Sequence, residues 1–93
     1  MVNTRESTTE KARRDLAGRL GIGADEIEVV DVADREFSDM SLGAAPAGEM
    51  AAQMISYGWQ IELAAGGKNY EYRADKYQLR LHNFEGLNYV IQG

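Results

Sequence analysis

Hydrophobic and polar residues alternate with a period of two over much of the second half of the chain. The segments 59–63 and 68–73 both alternate in this way, and Gly66-Gly67 lies between them. Because glycine adopts a positive φ without strain, this arrangement predicts a β-hairpin. The face expected to pack on the core carries Trp59, Ile61, Leu63, Tyr70 and Tyr72. The opposite face, expected to meet water, carries Gln60, Glu62, Glu71 and Arg73.

Further strands are predicted on both sides of this hairpin. Residues 77–82 and 87–92 alternate across a turn at residues 83–86, which extends the antiparallel meander. Residues 27–33 are rich in β-branched side chains and predict an earlier strand that could continue to Phe37. Val29 and Val30 are adjacent, so in a regular strand their side chains point to opposite faces. This indicates either that both faces of the strand are partly covered or that a β-bulge shifts the register.

The N-terminal segment has helical spacing instead. Its apolar positions recur three or four residues apart, at Ala12, Leu16, Ala17 and Leu20. The sequence Ser7-Thr8-Thr9-Glu10 fits a capping box, so the helix is expected to begin there, after a flexible tail formed by residues 1–7. Gly21 is expected to end the helix in the left-handed conformation.

Together these elements predict a single α+β domain over residues 8–93. An N-terminal helix packs on a mainly antiparallel sheet of about five or six strands. A chain of 93 residues with 44% hydrophobic residues is long enough for one modest core. Residues 49–57 fit a helix and a strand equally well, and both interpretations stay open.

The segment 37–48 interrupts the strand pattern with small and polar residues. It contains Pro46, the one proline of the chain. Loops of this length inside compact domains are more often functional than idle, so the segment is the candidate binding loop. The candidate contact residues are Phe37, Asp39, Ser41 and Leu42.

Charge is unevenly distributed along the chain, whose formal net charge is −5. Basic residues dominate the first twenty positions, and acidic residues dominate positions 25–39. An acidic chain with one short cationic helix argues against nucleic-acid binding. The acidic segment offers many oxygen ligands for Ca²⁺, although it lacks EF-hand spacing. The candidate metal ligands are Asp31, Asp34, Glu36 and Asp39, and the alternative is a solvated acidic edge that discourages aggregation.

Other chemistries receive less support from the residues. Cysteine is absent, which removes disulfides and thiolate sites. His82 is the one histidine, and neither the spacing of Ser41, His82 and Asp39 nor a nucleophile elbow supports a triad, so we expect no enzyme. No apolar leader or membrane-length segment is evident, so a cytoplasmic location without membrane contact is expected. The oligomeric state is left open.

Methionine and aromatic residues cluster between positions 40 and 59. Met40, Met50 and Met54, near Tyr57 and Trp59, could form an adaptable partner surface. Core packing is the favoured expectation, because a small domain needs most of its large apolar groups inside.

The chain also resembles a small domain that recurs in archaeal and bacterial proteins, largely of unassigned function. The resemblance covers roughly residues 12–75 and rests on these runs: Asp15-Leu16-Ala17-Gly18-Arg19-Leu20-Gly21-Ile22, Asp25-Glu26-Ile27-Glu28-Val29-Val30, Phe37-Ser38-Asp39-Met40-Ser41-Leu42-Gly43, Gly58-Trp59-Gln60-Ile61-Glu62-Leu63 and Tyr70-Glu71-Tyr72. It implies an α+β fold and supplies no reaction. The family tends to have a cysteine before the loop proline, where this chain has Ala44 and Ala45.

A fainter resemblance links residues 72–76 and 86–93 to the C-terminal strands of small serine-proteinase inhibitors. The sequence therefore predicts a small soluble module that binds an unknown protein partner through the loop 37–48 and uses no cofactor. The alternatives are a divalent-cation (calcium) protein and a proteinase-inhibitor-like module.

Overall fold

A computed structural model describes residues 2–93 of the chain. These residues form one α-helix, one short 3₁₀ turn and a five-stranded antiparallel sheet, which confirms the predicted α+β class. The elements are α1 (Arg5–Leu20), β1 (Glu28–Phe37), β2 (Ser56–Ala65), β3 (Lys68–Ala74), β4 (Leu79–Phe84) and β5 (Leu87–Gln92), and the 3₁₀ turn is Ala24–Glu26. The strands follow one another in chain order across the sheet.

Helix α1 begins earlier than the sequence predicts. Thr4 is the N-cap, and it exchanges side-chain hydrogen bonds with Ser7 in a capping box. The expected box at Ser7 to Glu10 is therefore wrong, because the same motif chemistry fits one turn earlier. Asn3 is buried, and its backbone N–H donates to the Lys76 carbonyl at 2.7 Å. Residues 3–7 thus belong to the packed domain, and Met1 lies outside the described residues.

The predicted hairpin and meander are confirmed. Gly66 and Gly67 have φ values of 58° and 79°, which suit the tight turn between β2 and β3. Strand β1 contains the predicted bulge, since its register against β2 shifts between Val29 and Asp31. Gly21 ends α1 with φ 68°, as expected. Residues 49–55 are neither helix nor strand, and Ser56 and Tyr57 begin β2, so the helix interpretation of residues 49–57 is wrong and the strand interpretation holds for the last two residues alone.

The main core lies between α1 and one face of the sheet. Ala12 and Leu16 of the helix meet fully buried side chains of the strands, which are Ile61, Leu63, Tyr72, Leu79 and Leu81. Trp59 and Tyr70 pack partly buried against this cluster, so the predicted core face of the hairpin is confirmed.

One polar bond ties the helix to the sheet within this core. The Tyr72 hydroxyl donates to Asp15 Oδ2 at 2.7 Å, and Arg19 donates to the same oxygen at 2.7 Å. Burial, together with the Asp15 carboxylate, raises the pKa of Tyr72, so this hydroxyl keeps its proton and remains a donor. Within residues 2–93, no helix combines the length and the apolar character needed to cross a membrane.

Candidate functional site

The segment between β1 and β2, residues 38–55, lies across the sheet face opposite the helix. The centre of that face is formed by Arg73 and Arg80, which stand opposite each other in the β3–β4 register. Their side chains are buried, at 8% and 7% residue exposure. The expectation that this face meets water is therefore wrong at its centre, because the loop covers it.

Arg73 holds the first part of the loop. Its Nη1 donates to the Leu42 carbonyl at 2.9 Å, and its Nε donates to Glu71 at 2.5 Å. Its guanidinium also lies 5.9 Å from the ring centre of Phe37, and the guanidinium of Arg35 lies 5.1 Å from the same ring. Phe37 therefore contacts two cations where β1 ends, an arrangement that attracts each cation to the ring electrons.

Arg80 holds the second part of the loop through Glu49. Arg80 Nη1 donates to Glu49 Oε1, and its Nη2 donates to Oε2 at 3.3 Å. The hydroxyl of Ser41 donates to Glu49 Oε1 at 2.6 Å. The bonds from Arg80 and then Ser41 lower the pKa of Glu49, so the carboxylate is ionised at neutral pH.

The loop backbone is fixed by two further side chains. Asp39 Oδ1 accepts from the N–H groups of Ser41 and Gly43, at 2.8 and 3.1 Å. Gln78 Nε2 donates to the Met40 carbonyl at 2.8 Å. Local carboxylate-to-amide bonds of this kind favour one turn conformation over an extended chain. The segment from residue 39 to residue 49 is consequently bound to the sheet at several separate points.

The structure places most of the predicted contact residues inside the molecule. Phe37, Ser41 and Leu42 are 2%, 3% and 0% exposed, and Asp39 is partly exposed while it caps the loop. These four side chains hold the loop in place rather than presenting themselves on an open surface. The sequence pattern predicted the loop, but it did not predict which of its side chains face the sheet.

The methionines that sequence reasoning assigned to the core lie at the surface instead, and so does Tyr57. Around one open groove of about 340 Å³ stand five apolar side chains, which we call the apolar patch: Met40, Met54, Ile55, Tyr57 and Tyr77. Their exposures are 40%, 63%, 56%, 73% and 70%. Met50 is 96% exposed in the same loop. The expectation that these methionines pack in the core is therefore wrong. The sequence signal that could have predicted the patch is the apolar pair Met54-Ile55 just before β2.

The predicted metal ligands are not brought to one point. Asp31 stands opposite Glu62, whereas Asp34 stands opposite Trp59 and so projects from the other face of the sheet. Asp39 is engaged by the loop amides. Among residues 2–93, no group of three or more His, Asp or Glu side chains is arranged to hold a metal ion. The calcium interpretation stays a prediction, and no geometry supports it.

His82 and Ser41 also have separate surroundings. His82 stands opposite Glu71 in the β3–β4 register, and burial followed by the charge of Arg73 lowers its pKa. Ser41 donates its hydroxyl proton to Glu49. The hydrogen-bond partners of Ser41 and Asp39 therefore belong to the loop's own structure, and they do not form a relay toward His82.

Comparison with known proteins gives one finding. A family model described as a domain of unknown function, DUF8738, matches residues 9–82, from the second turn of α1 into β4. No curated protein and no solved structure matches the chain. The match covers most of the chain, and it confirms the resemblance to a small family of unassigned function. The chain belongs to the DUF8738 family of domains of unknown function.

Proposed function

We propose that this domain is a non-enzymatic protein-interaction module that binds an apolar surface of a partner protein through its apolar patch. The observation that carries the proposal is the exposure of the patch. Met54, Ile55 and Tyr57 follow one another closely in the chain and are 63%, 56% and 73% exposed around the same groove. A small domain gains stability by burying such side chains, so leaving several together at one place favours an intermolecular role.

The chemistry of the patch suits a protein partner. Aromatic and methionine side chains are enriched at protein interfaces, because they bury much area and, in methionine, adapt their shape. Burial of apolar area contributes roughly 25 cal/mol per Å², so each of these side chains offers a substantial share of an interface.

The groove is held on both sides before any partner arrives. On one side the loop is fixed by the bonds of Arg73 and Arg80. On the other side Asp75 Oδ1 accepts from the N–H groups of Tyr77 and Gln78, at 2.8 and 3.0 Å. A preformed surface loses little conformational entropy on binding, which supports affinity from a small patch. In this proposal the segment 37–48 supports the groove, and residues 54–57 make the contact.

Site-specific photo-crosslinking tests the proposal. A photoreactive phenylalanine analogue replaces Tyr57, Tyr77 or, as the control, Leu87, which is 56% exposed on β5. We expect one protein to be captured from Tyr57 and from Tyr77, but not from Leu87. An excess of the unlabelled domain should compete, and an excess of the Ile55→Asp domain should not.

Folding of each variant is checked by its amide NMR spectrum. Equal capture from all three positions, or equal competition by the Ile55→Asp domain, would overturn the proposal. Capture of a second copy of the domain itself would also overturn it, and sedimentation of the purified protein detects that case.

A further inference from the structure

Strand β1 forms a long, open edge of the sheet. It has ten residues and pairs with β2, and within residues 2–93 no strand lies on its other side. All its residues are exposed except Val32 and Phe37. Because alternate residues of an edge strand direct backbone N–H and C=O groups away from the sheet, such an edge can accept another strand.

A groove of about 530 Å³ runs beside this edge, between β1 and the first half of α1. Val29 and Val32 stand opposite Leu63 and Ile61, so the bulge between them puts both valines on the helix side of the sheet. The helix lines the same groove with mostly charged residues, which are Arg5, Glu6, Thr9, Glu10 and Arg13. A strand added to β1 would place every second side chain between these valines and the charged side chains of the helix.

Arg5 shows which chemistry the edge attracts. Its Nη2 donates to the backbone carbonyl of Val32, and its Nη1 donates to Asp34 Oδ1 at 3.5 Å. Val32 belongs to β1, so this cation already occupies a main-chain acceptor of the edge strand. The side chains of Arg5 and Asp34 are 47% and 84% exposed, and an ion pair this open is easily exchanged for another.

We propose that β1 binds an extended cationic segment of a partner protein, and that Arg5 competes with this segment for the Val32 carbonyl and for Asp34. The charge of the strand selects the partner, since β1 carries four carboxylates and one guanidinium. Glu28 and Asp31 lie on the face away from the helix, and Asp34 and Glu36 lie on the helix side, so cationic side chains of the segment would meet carboxylates on both faces. Main-chain hydrogen bonds supply affinity in this mode, and alternate side chains supply specificity.

The probe is a capped nine-residue peptide that alternates lysine and valine, titrated into the labelled full chain and followed by amide NMR. We expect saturable shifts along β1 and slower hydrogen exchange of its outward amides. Arg5→Gln removes the competing guanidinium and should tighten binding by about two- to fivefold, in line with the strength of an exposed ion pair. Asp31→Lys should weaken binding by about three- to tenfold at low salt.

Two matched controls separate strand addition from charge attraction. Glu85→Lys makes the same charge change on the β4–β5 turn and should leave binding unchanged. A peptide of equal charge with proline in place of every valine loses those main-chain donors and cannot form a regular strand, so it should bind much more weakly. The proposal would be overturned if the proline peptide bound equally well or if the peptide shifted amides of β5 alone. It would also be overturned if the β1 amides shifted with protein concentration when no peptide is present.

Discussion

At the scale of single residues, the loop and two arginines depend on each other. Arg73 and Arg80 are nearly buried, and a buried charge without partners costs several kcal/mol. The loop supplies those partners as two carbonyls, from Leu42 and Ala44, and one carboxylate, from Glu49. The same bonds define the path of the loop, which otherwise lacks regular secondary structure. Buried cations therefore give this segment a specific conformation.

Glu49→Gln tests this dependence. The substitution keeps the size of the side chain and removes the charge that faces Arg80, so the free energy of unfolding should fall by about 1–3 kcal/mol. Glu36→Gln, at an exposed position of β1, is the matched control and should change it by less than about 0.5 kcal/mol. Urea unfolding at neutral pH measures both. An unchanged midpoint for Glu49→Gln would contradict the proposed role of the carboxylate.

The pH dependence of the same pair has a defined sign. The pKa of Glu49 is lower in the folded state than its ordinary value of 4.5. Its stabilising contribution is therefore complete above pH 4.5 and is lost as the pH falls through the lower folded-state pKa. The difference in unfolding free energy between the wild type and Glu49→Gln should shrink between neutral pH and about pH 3. A difference that stays constant over this range would count against the assignment.

At the scale of elements, the hairpins follow from local chemistry and one close approach. The turn glycines and the alternation predict β2 and β3 correctly, because both signals act between neighbouring residues. Gly58 is different: a Cβ built on it would lie 2.0 Å from the Ala74 carbonyl oxygen. Strand β2 can pass the end of β3 only because this residue has no side chain.

Gly58→Ala should therefore lower the free energy of unfolding by about 1–3 kcal/mol, since backbone must move to admit the methyl group. Gly18→Ala is the matched control, because Gly18 lies inside α1 and, apart from its chain neighbours and its own helix backbone, nothing lies within 4 Å of the added carbon. That change should raise stability by about 0.5–1 kcal/mol through helix propensity. Thermal unfolding of both variants is the measurement, and equal shifts would contradict the steric explanation.

At the scale of the whole molecule, the sheet is covered on both faces by different means. Helix α1 covers one face with apolar side chains, and the loop 38–55 covers the centre of the other with polar bonds to arginine. Phe37 and Ser56, which flank the loop, are opposite each other in the β1–β2 register. The strands could therefore be joined by a short turn without changing their pairing.

Replacing residues 38–55 by Asn-Gly tests whether the two covers are independent. The arginines would become hydrated, while Phe37 would lose its cover, so stability should fall by about 2–4 kcal/mol. The helix-side core should persist, with native-like near-ultraviolet circular dichroism from Trp59 and Tyr72. An unfolded spectrum would show that the sheet needs both covers, and unchanged stability would show that the loop contributes nothing to folding.

The candidate site was only partly predictable from the sequence, because its contacts join residues far apart in the chain. Alternation in β3 and β4 predicts that Arg73 and Arg80 lie away from the core, and it suggests water as their environment. Contact with Leu42 and Glu49 joins residues 31 positions apart in each case, and no local pattern records such a contact. The loop was recognised from its composition, but the burial of Leu42 and the exposure of Met54 depend on where it is bound.

The sequence by itself determined the helix, its glycine cap and the hairpin turns, and it left the bulge in β1 as one of two alternatives, because helical spacing, steric freedom and alternation act over a few residues. The tertiary structure alone decided which face of the sheet the loop covers and which apolar residues remain outside. Both outcomes depend on long-range hydrogen bonds that join two arginines to the loop carbonyls and to Glu49. These bonds fix the position of the loop, and that position leaves the apolar patch exposed.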